Sequence, residues 1–322
     1  MRNGLRAVLF CAVMAIVWSN TGVGAAPPTT RSFASARFAL EIGGTIVGFV
    51  NAVEGGLAFG SVVKVAGEDY FFKKHLGNLG FRDIRLEFGA DMEESLYQSI
   101  SLALQGQQVR LSGAILSADF NGDVRRRLEF QEAQITEVTF PALDATSKDT
   151  AKMSIVLSPE HTSVNRKASG KLNVTSAKSQ KRWLPANFRL SIDGIDTTKV
   201  SKVEALTVKL PRNTFGECRL CENLPGPTKV DFPDLVMTTG EPADALYDWF
   251  EAFAIQGNND EASEKSGALE YLSSDLKTVL FTLNFKNLGI FELAPIGPDA
   301  AGSTVPKLLA TMYCEKMDFV VP

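Results

Sequence analysis

The sequence predicts a mainly β protein of two tandem antiparallel β-barrel or sandwich domains, each carrying one helix. Three observations predict it. The segment Phe38-Ala39-Leu40-Glu41-Ile42-Gly43-Gly44 returns as Phe188-Arg189-Leu190-Ser191-Ile192-Asp193-Gly194, a shift of 150 residues. Most apolar runs alternate with a period of two, the mark of strands with one buried face. Each copy holds a single stretch with helical spacing.

The repeat keeps register as far as Val53-Glu54, which meets Val203-Glu204, and returns at Leu96-Tyr97 against Leu246-Tyr247. The shift then becomes 155: Leu128-Glu129-Phe130 meets Leu283-Asn284-Phe285, Ile135 meets Ile290, Asp144-Ala145 meets Asp299-Ala300, and Glu160 meets Glu315. A period this long marks a domain duplication, not the roughly 20–50-residue units of a solenoid. The expected organisation is a signal peptide at 1–25, a first domain at 37–160, a polar linker at 161–186 and a second domain at 187–320.

Within the first copy, Phe38, Leu40 and Ile42 predict a strand, Gly43-Gly44 a turn, and Ile46 to Val53 the second arm of a hairpin. Gly55-Gly56 breaks that arm, and Leu57 to Val65 starts another strand. Phe81, Ile84, Leu86 and Phe88 predict a further strand with a bulge at Arg82-Asp83. Asp91 is placed to cap the helix, with Glu94 as its capping-box partner, and Leu96, Ile100 and Leu104 fall on one face. Strands resume at Val109 to Phe120 and Arg127 to Phe140 around Asn121-Gly122-Asp123, where Asn and Gly tolerate positive φ. Ala151, Met153, Ile155 and Leu157 form the closing strand. The second copy repeats the helix at Asp244 to Ile255, with Leu246, Trp249, Phe250 and Phe253 as its core face.

Arg2 and Arg6, the apolar run Ala7 to Trp18, and Val23-Gly24-Ala25 read as a cleaved secretory signal. About twelve residues fall short of the roughly twenty a spanning helix needs, so no stable membrane span is expected after cleavage. Export places the chain in the periplasm or outside the cell. The chain carries 33 basic and 37 acidic residues; dropping Arg2 and Arg6 leaves 31 against 37, a net −6. That balance argues against nucleic acid as partner, since phosphates require a basic face. Arg125-Arg126-Arg127 and the basic stretch 166–182 read as a solvated turn and a polar linker.

Cys218 and Cys221 form a lone C-x-x-C in a loop rich in Gly, Pro and Glu; in an oxidising compartment a local disulfide is the expected state. A zinc site would need further ligands, and His75 and His161 lie outside this copy. Cys314 lies in the last strand, and Asn173-Val174-Thr175 is a glycosylation sequon. Two separated histidines supply neither a triad nor a metal cluster, and no phosphate-cradling Gly-Lys-Ser/Thr loop is present. No catalytic, cofactor-binding or metal residue is therefore assigned, and no cofactor is expected.

The ordered set of phrases resembles the tube proteins of contractile phage tails and, more distantly, the type VI secretion tube protein. Its carriers are the opening F-x-L-x-I-x-G at Phe38, Leu40, Ile42 and Gly44, then Gly48-Phe49, the strand end Leu86-Glu87-Phe88-Gly89, and the helix that follows. Phe140-Pro141-Ala142-Leu143-Asp144-Ala145-Thr146-Ser147, Glu160-His161 and, in the second copy, Leu224-Pro225-Gly226 complete it. The resemblance implies a structural protein whose subunits pair sheet edges into rings that stack as a tube. Rings of that family use six equivalent domains, so a two-domain chain implies a pseudo-sixfold trimer, with a double ring of six chains as the competing geometry. A secreted monomeric binding module, and an exported enzyme using Cys218 or an acidic pair, are the alternatives.

Overall fold

The computed structural model describes residues 37–67, 70–172, 183–212, 229–297 and 306–322. β1 (Arg37–Ile42) turns through Gly43 and Gly44, at φ +57° and +85°, into β2 (Thr45–Val50). Glycine reaches this left-handed region without the Cβ clash other residues meet. The strand expected over Ile46 to Val53 is in fact two. At Asn51 the backbone amide donates to Glu87 O at 2.7 Å, and β3 (Ala52–Gly55) pairs with β6 (Ile84–Phe88) while β2 stays with β1. β4 (Ala58–Ala66) and β5 (Phe72–Phe81) form a separate two-stranded sheet. The bulge expected at Arg82-Asp83 is a break between β5 and β6.

Helix α1 (Glu94–Leu104) buries Leu96, Ile100 and Leu104 on one face, as the spacing predicts. Asp91 does not cap it: the N-cap is Glu93, without a side-chain cap. The Tyr97 hydroxyl accepts the Met92 amide at 3.2 Å, holding the chain entering the helix. Next come β7 (Arg110–Ala118), a turn with Gly122 at φ +83°, and the long β8 (Val124–Phe140). β9 (Leu143–Asp144), β10 (Met153–Ser158) and β11 (His161–Asn165) end this half.

The expected linker thus begins with a strand. In β11 Thr162 and Val164 point inward against β8, with Thr162 Oγ1 donating to Gly56 O at 2.8 Å. Polar side chains hide that alternation from a hydrophobicity reading. Trp183, at the far end of the same stretch, is buried edge-on against Tyr271 and Phe281, with ring centroids 5.3 and 4.9 Å away.

The second half runs β12 (Phe188–Ile192), β13 (Val200–Val203), β14 (Leu206–Lys209), β15 (Leu235–Gly240), α2 (Asp244–Phe250), β16 (Lys265–Leu272), β17 (Val279–Ile296) and β18 (Lys307–Val320). After α2 the chain continues as a π-helical turn, Glu251–Ile255. Leu246, Trp249 and Phe253 are buried while Phe250 is only half-buried, a correction to the expected core face.

Among the described residues every pairing is antiparallel and strands outweigh the two helices, so the fold is mainly β. The larger sheet has the order β2-β1-β7-β8-β10-β6-β3, with β11 and β14 added along β8; the second has the order β12-β16-β17-β18-β15-β13-β9. The described residues all belong to one compact unit. Its core is continuous across both halves: α1 packs on β18, and Ser101 Oγ donates to Phe319 O at 2.8 Å. Around that contact Tyr97, Phe140, Phe281 and Phe319 lie with neighbouring ring centroids 5.4–6.3 Å apart. Each such pair adds about 0.5–1.5 kcal/mol beyond its buried area.

Candidate assembly interface

The two sheets carry one strand order. β1-β7-β8-β10-β6-β3 in the first matches β12-β16-β17-β18-β15-β13 in the second, with α1 and α2 each preceding the strand beside the opening one. Irregularities fall at matching places. Glu132 in β8 and Asn287 in β17, 155 residues apart, both take positive φ, at +50° and +55°. Thr136 and Phe291, also 155 apart, are each skipped by a β-bulge in pairing to the next strand. Gly113 and Gly267 sit at the same bulge, where an added Cβ would meet Glu41 O at 1.9 Å or Ser191 O at 2.7 Å.

The halves are sewn together by strand exchange. β14 pairs with the distal part of β8: Leu206 faces Phe140, Thr207 faces Thr139, Val208 faces Val138 and Lys209 faces Glu137. The Leu210 amide extends the junction by donating to Thr136 O at 2.9 Å. Leu206, Val208, Val138 and Phe140 are all buried, and the Thr139 and Thr207 hydroxyls lie 3.1 Å apart. In return β9 pairs with β13, with Asp144 facing Lys202. Hydrogen bonds from the Thr146 hydroxyl and amide hold the Asp144 carboxyl below its ordinary range.

Among the described residues, two surfaces lack such cover. The β4–β5 hairpin exposes apolar side chains on both faces, among them Leu57 beside its base, Phe59, Val62, Phe72 and Leu76. Directly opposite each other on it stand Lys64 and Lys74, a like-charge pair that costs stability. The second surface is the distal part of β17. β16 stops pairing at Leu288, and among the described residues no strand continues along that edge to Ile296. Phe291 is 48% exposed there.

Of the residues singled out in the sequence, Cys218, Cys221, Asn173, Leu224-Pro225-Gly226 and the 1–25 segment lie outside the described residues. Cys314 is a buried free thiol in β18, and burial pushes it up to about 11. His75 lies on the hairpin, while His161 packs edge-on against Phe81 at 4.8 Å. Among the described residues no group of three or more His, Cys, Asp or Glu gathers as a metal set, and no helix is long and apolar enough to cross a membrane. A polar groove of about 820 Å³ lies between α1 and β18, with Glu94, Gln98, Ser101 and Asp318 in its wall. On the first sheet, Arg127 donates two bonds to Glu41, at 2.6 and 2.9 Å, and a third to Glu129 at 2.9 Å. The Arg127 bond is the main reason the Glu41 carboxyl titrates below its ordinary range.

No protein-family model matches the sequence, and no curated protein matches it. Less than half of the chain is similar to each of several chains of contractile injection systems. One is from the sheath–tube complex of an extracellular contractile injection system (PVC) in the extended state, at 20% identity and TM-score 0.36, covering 44% of this chain and 99% of that one. Another is from the tube-terminating cap of the anti-feeding prophage, at 23% identity and TM-score 0.36, covering 48% of this chain and 99% of that one. A third is from the sheath/tube terminator of the extracellular system, at 22% identity and TM-score 0.34, covering 40% and 93%.

Sequence reasoning missed strand β5 and the exchange of β9 and β14. For β5 the signal was present, since Phe72, Leu76 and Leu79 follow the break at Gly67, but Lys73-Lys74-His75 and two glycines dilute it. For the exchange there was none: a strand's partner across some 70 residues leaves no local mark.

Proposed function

We propose that this chain is a non-enzymatic structural subunit, a tandem duplication of a tube-type domain, which assembles through its sheet edges into a ring or tube. The observation that carries the reading is the repeated strand order, with its left-handed residue and bulges at matching positions. Two equivalent domains already joined edge to edge make one third of a pseudo-sixfold ring. Tethering keeps the second domain at high effective concentration, which lowers the ordering cost of closure. Closure also covers strand edges that otherwise template uncontrolled pairing. The trimer is the favoured state, and the double ring of six chains the competing one.

Light scattering on the mature protein, with negative-stain microscopy, tests it. Three chains per particle and closed rings are expected. Six chains would defeat the trimer, and a single chain at high concentration would defeat assembly altogether. In that last case the exposed hairpin favours the second reading, a monomeric binding module whose apolar faces meet another surface. The chain is proposed to act outside the cytoplasm after cleavage near Ala26. N-terminal sequencing of exported material checks this, and an intact Met1 in a cytosolic fraction would overturn it.

A further inference from the structure

The two helices are covered unequally. α1 is seated on β18, where Tyr97 is 4% exposed and Ser101 donates to Phe319 O. Tyr247 holds the same place in α2, 150 residues on, yet it is 43% exposed. Asp244, Asp248 and Glu251 follow one another along that side at i, i+4 and i+7, all three exposed, and Ile255 beyond them is 69% exposed. Like charges so spaced on a helix repel and cost stability. The hairpin carries the opposite charge in a similar setting. Register across it puts Val62 opposite Leu76, Lys64 opposite Lys74 and Ala66 opposite Phe72, so these six side chains share one face. Both lysines are exposed, and so are Val62, Phe72 and, at 81%, Leu76. Among the described residues these two lysines and three carboxylates form no ion pair within the chain.

We infer that this face of the hairpin packs across α2 of a second copy of the chain. Lys64 and Lys74 lie against Asp248 and Glu251 of that copy, and Val62, Leu76 and Phe72 cover its Tyr247 and Ile255. This inference rests on the assembly reading above and names one of its contacts. A two-stranded sheet is marginal in water by itself and gains stability by packing on a helix. Only the side chains of one face are used, so β5 keeps its place beside β4. Charge selects the partner: hairpin on hairpin would oppose lysines, and α2 on α2 would oppose carboxylates. Hairpin and helix are different surfaces, so the contact is heterologous, and repetition closes a ring or runs on as a filament according to its rotation.

Charge reversal tests the pairing. Lys64→Glu with Lys74→Glu reverses the hairpin, and Asp248→Lys with Glu251→Lys reverses the helix. All four side chains are exposed, so each double variant is expected to keep wild-type circular dichroism. Each alone is expected to sediment as a single chain at a concentration where the wild type forms larger particles. Combining all four substitutions in one chain restores opposite charges and is expected to return particles of wild-type mass. A double variant that assembles like the wild type overturns the inference. So does a quadruple variant that stays a single chain with wild-type circular dichroism; in both cases the assembly reading survives. A wild type that is a single chain at every concentration removes the assembly reading itself, and the inference with it. Should a reversal disturb the fold, Lys64→Gln with Lys74→Gln and Asp248→Asn with Glu251→Gln take its place. Each of these is expected to weaken self-association about tenfold, and an unchanged dissociation constant overturns the inference.

Discussion

Replacing Leu206 by alanine tests whether the exchanged strand ties both halves into one cooperative unit. Leu206 is 1% exposed and faces Phe140 across the β14–β8 ladder. At about 0.8 kcal/mol per buried carbon, removing its side chain beyond Cβ forfeits roughly 2.4 kcal/mol of transfer energy. Any residual cavity adds about 24 cal/mol per Å³, so a hole of some 40–60 Å³ contributes roughly 1–1.5 kcal/mol more. The site is poorly able to collapse, because the backbone ladder fixes the distance from β14 to β8. The expected loss is therefore about 3–4 kcal/mol, within the range of roughly 2–5 kcal/mol measured for buried leucines. Urea denaturation of the mature protein, followed in parallel by far-ultraviolet circular dichroism and tryptophan fluorescence, reads it. Trp183 and Trp249 report the second half and its contact with the first, while ellipticity reports all strands. Coincident transitions, displaced together in the variant, are expected. A loss below about 1 kcal/mol, or two separate transitions in the wild type, would refute the claim that the exchange couples the halves.

Three further outcomes follow. Glu41→Gln should cost about 1–3 kcal/mol at neutral pH by weakening the paired bonds from Arg127. Because the folded Glu41 carboxyl titrates below its ordinary 4.5, its contribution is present above that value and fades as pH falls through the folded pKa; the variant's stability deficit should therefore shrink in acid titrations. Gly113→Ala should destabilise by more than about 2 kcal/mol, since its Cβ would lie 1.9 Å from Glu41 O, a backbone atom that cannot step aside; a melting temperature within a degree of wild type would contradict this. Cys314 should resist iodoacetamide at pH 8 in the folded protein and react on unfolding, as burial holds the thiol near 11; peptide mass mapping distinguishes it from Cys218 and Cys221.

Much of the fold is legible in the sequence because local chemistry declares it. Gly43-Gly44 and Asn121-Gly122-Asp123 mark turns, and Leu96, Ile100 and Leu104 share the buried face of α1. Where the reading slips, a long-range partner decides. Ile46 to Val53 is uniformly strand-like, yet Glu87 O takes the Asn51 amide and divides it. Phe250 satisfies the helical stripe, yet Leu246, Trp249 and Phe253 take the core positions and leave it half-buried. The candidate interface was the least legible part. Leu57 and Phe59 read as an ordinary buried strand, and their exposure emerges only when the partners of β4 are counted.

The strand exchange also has a consequence in time. A chain made from its N-terminus completes β8 long before residues 206–209 exist, so the first half must wait with the distal edge of β8 uncovered. Val138 and Phe140, fully buried at the end, are open to any passing strand during that interval. Pairing across so many residues is also slow, because loop-closure entropy is lost before the contact rewards it. Synthesis is thus the period of greatest hazard for this molecule, and a chain truncated before Leu206 should aggregate where the full chain does not.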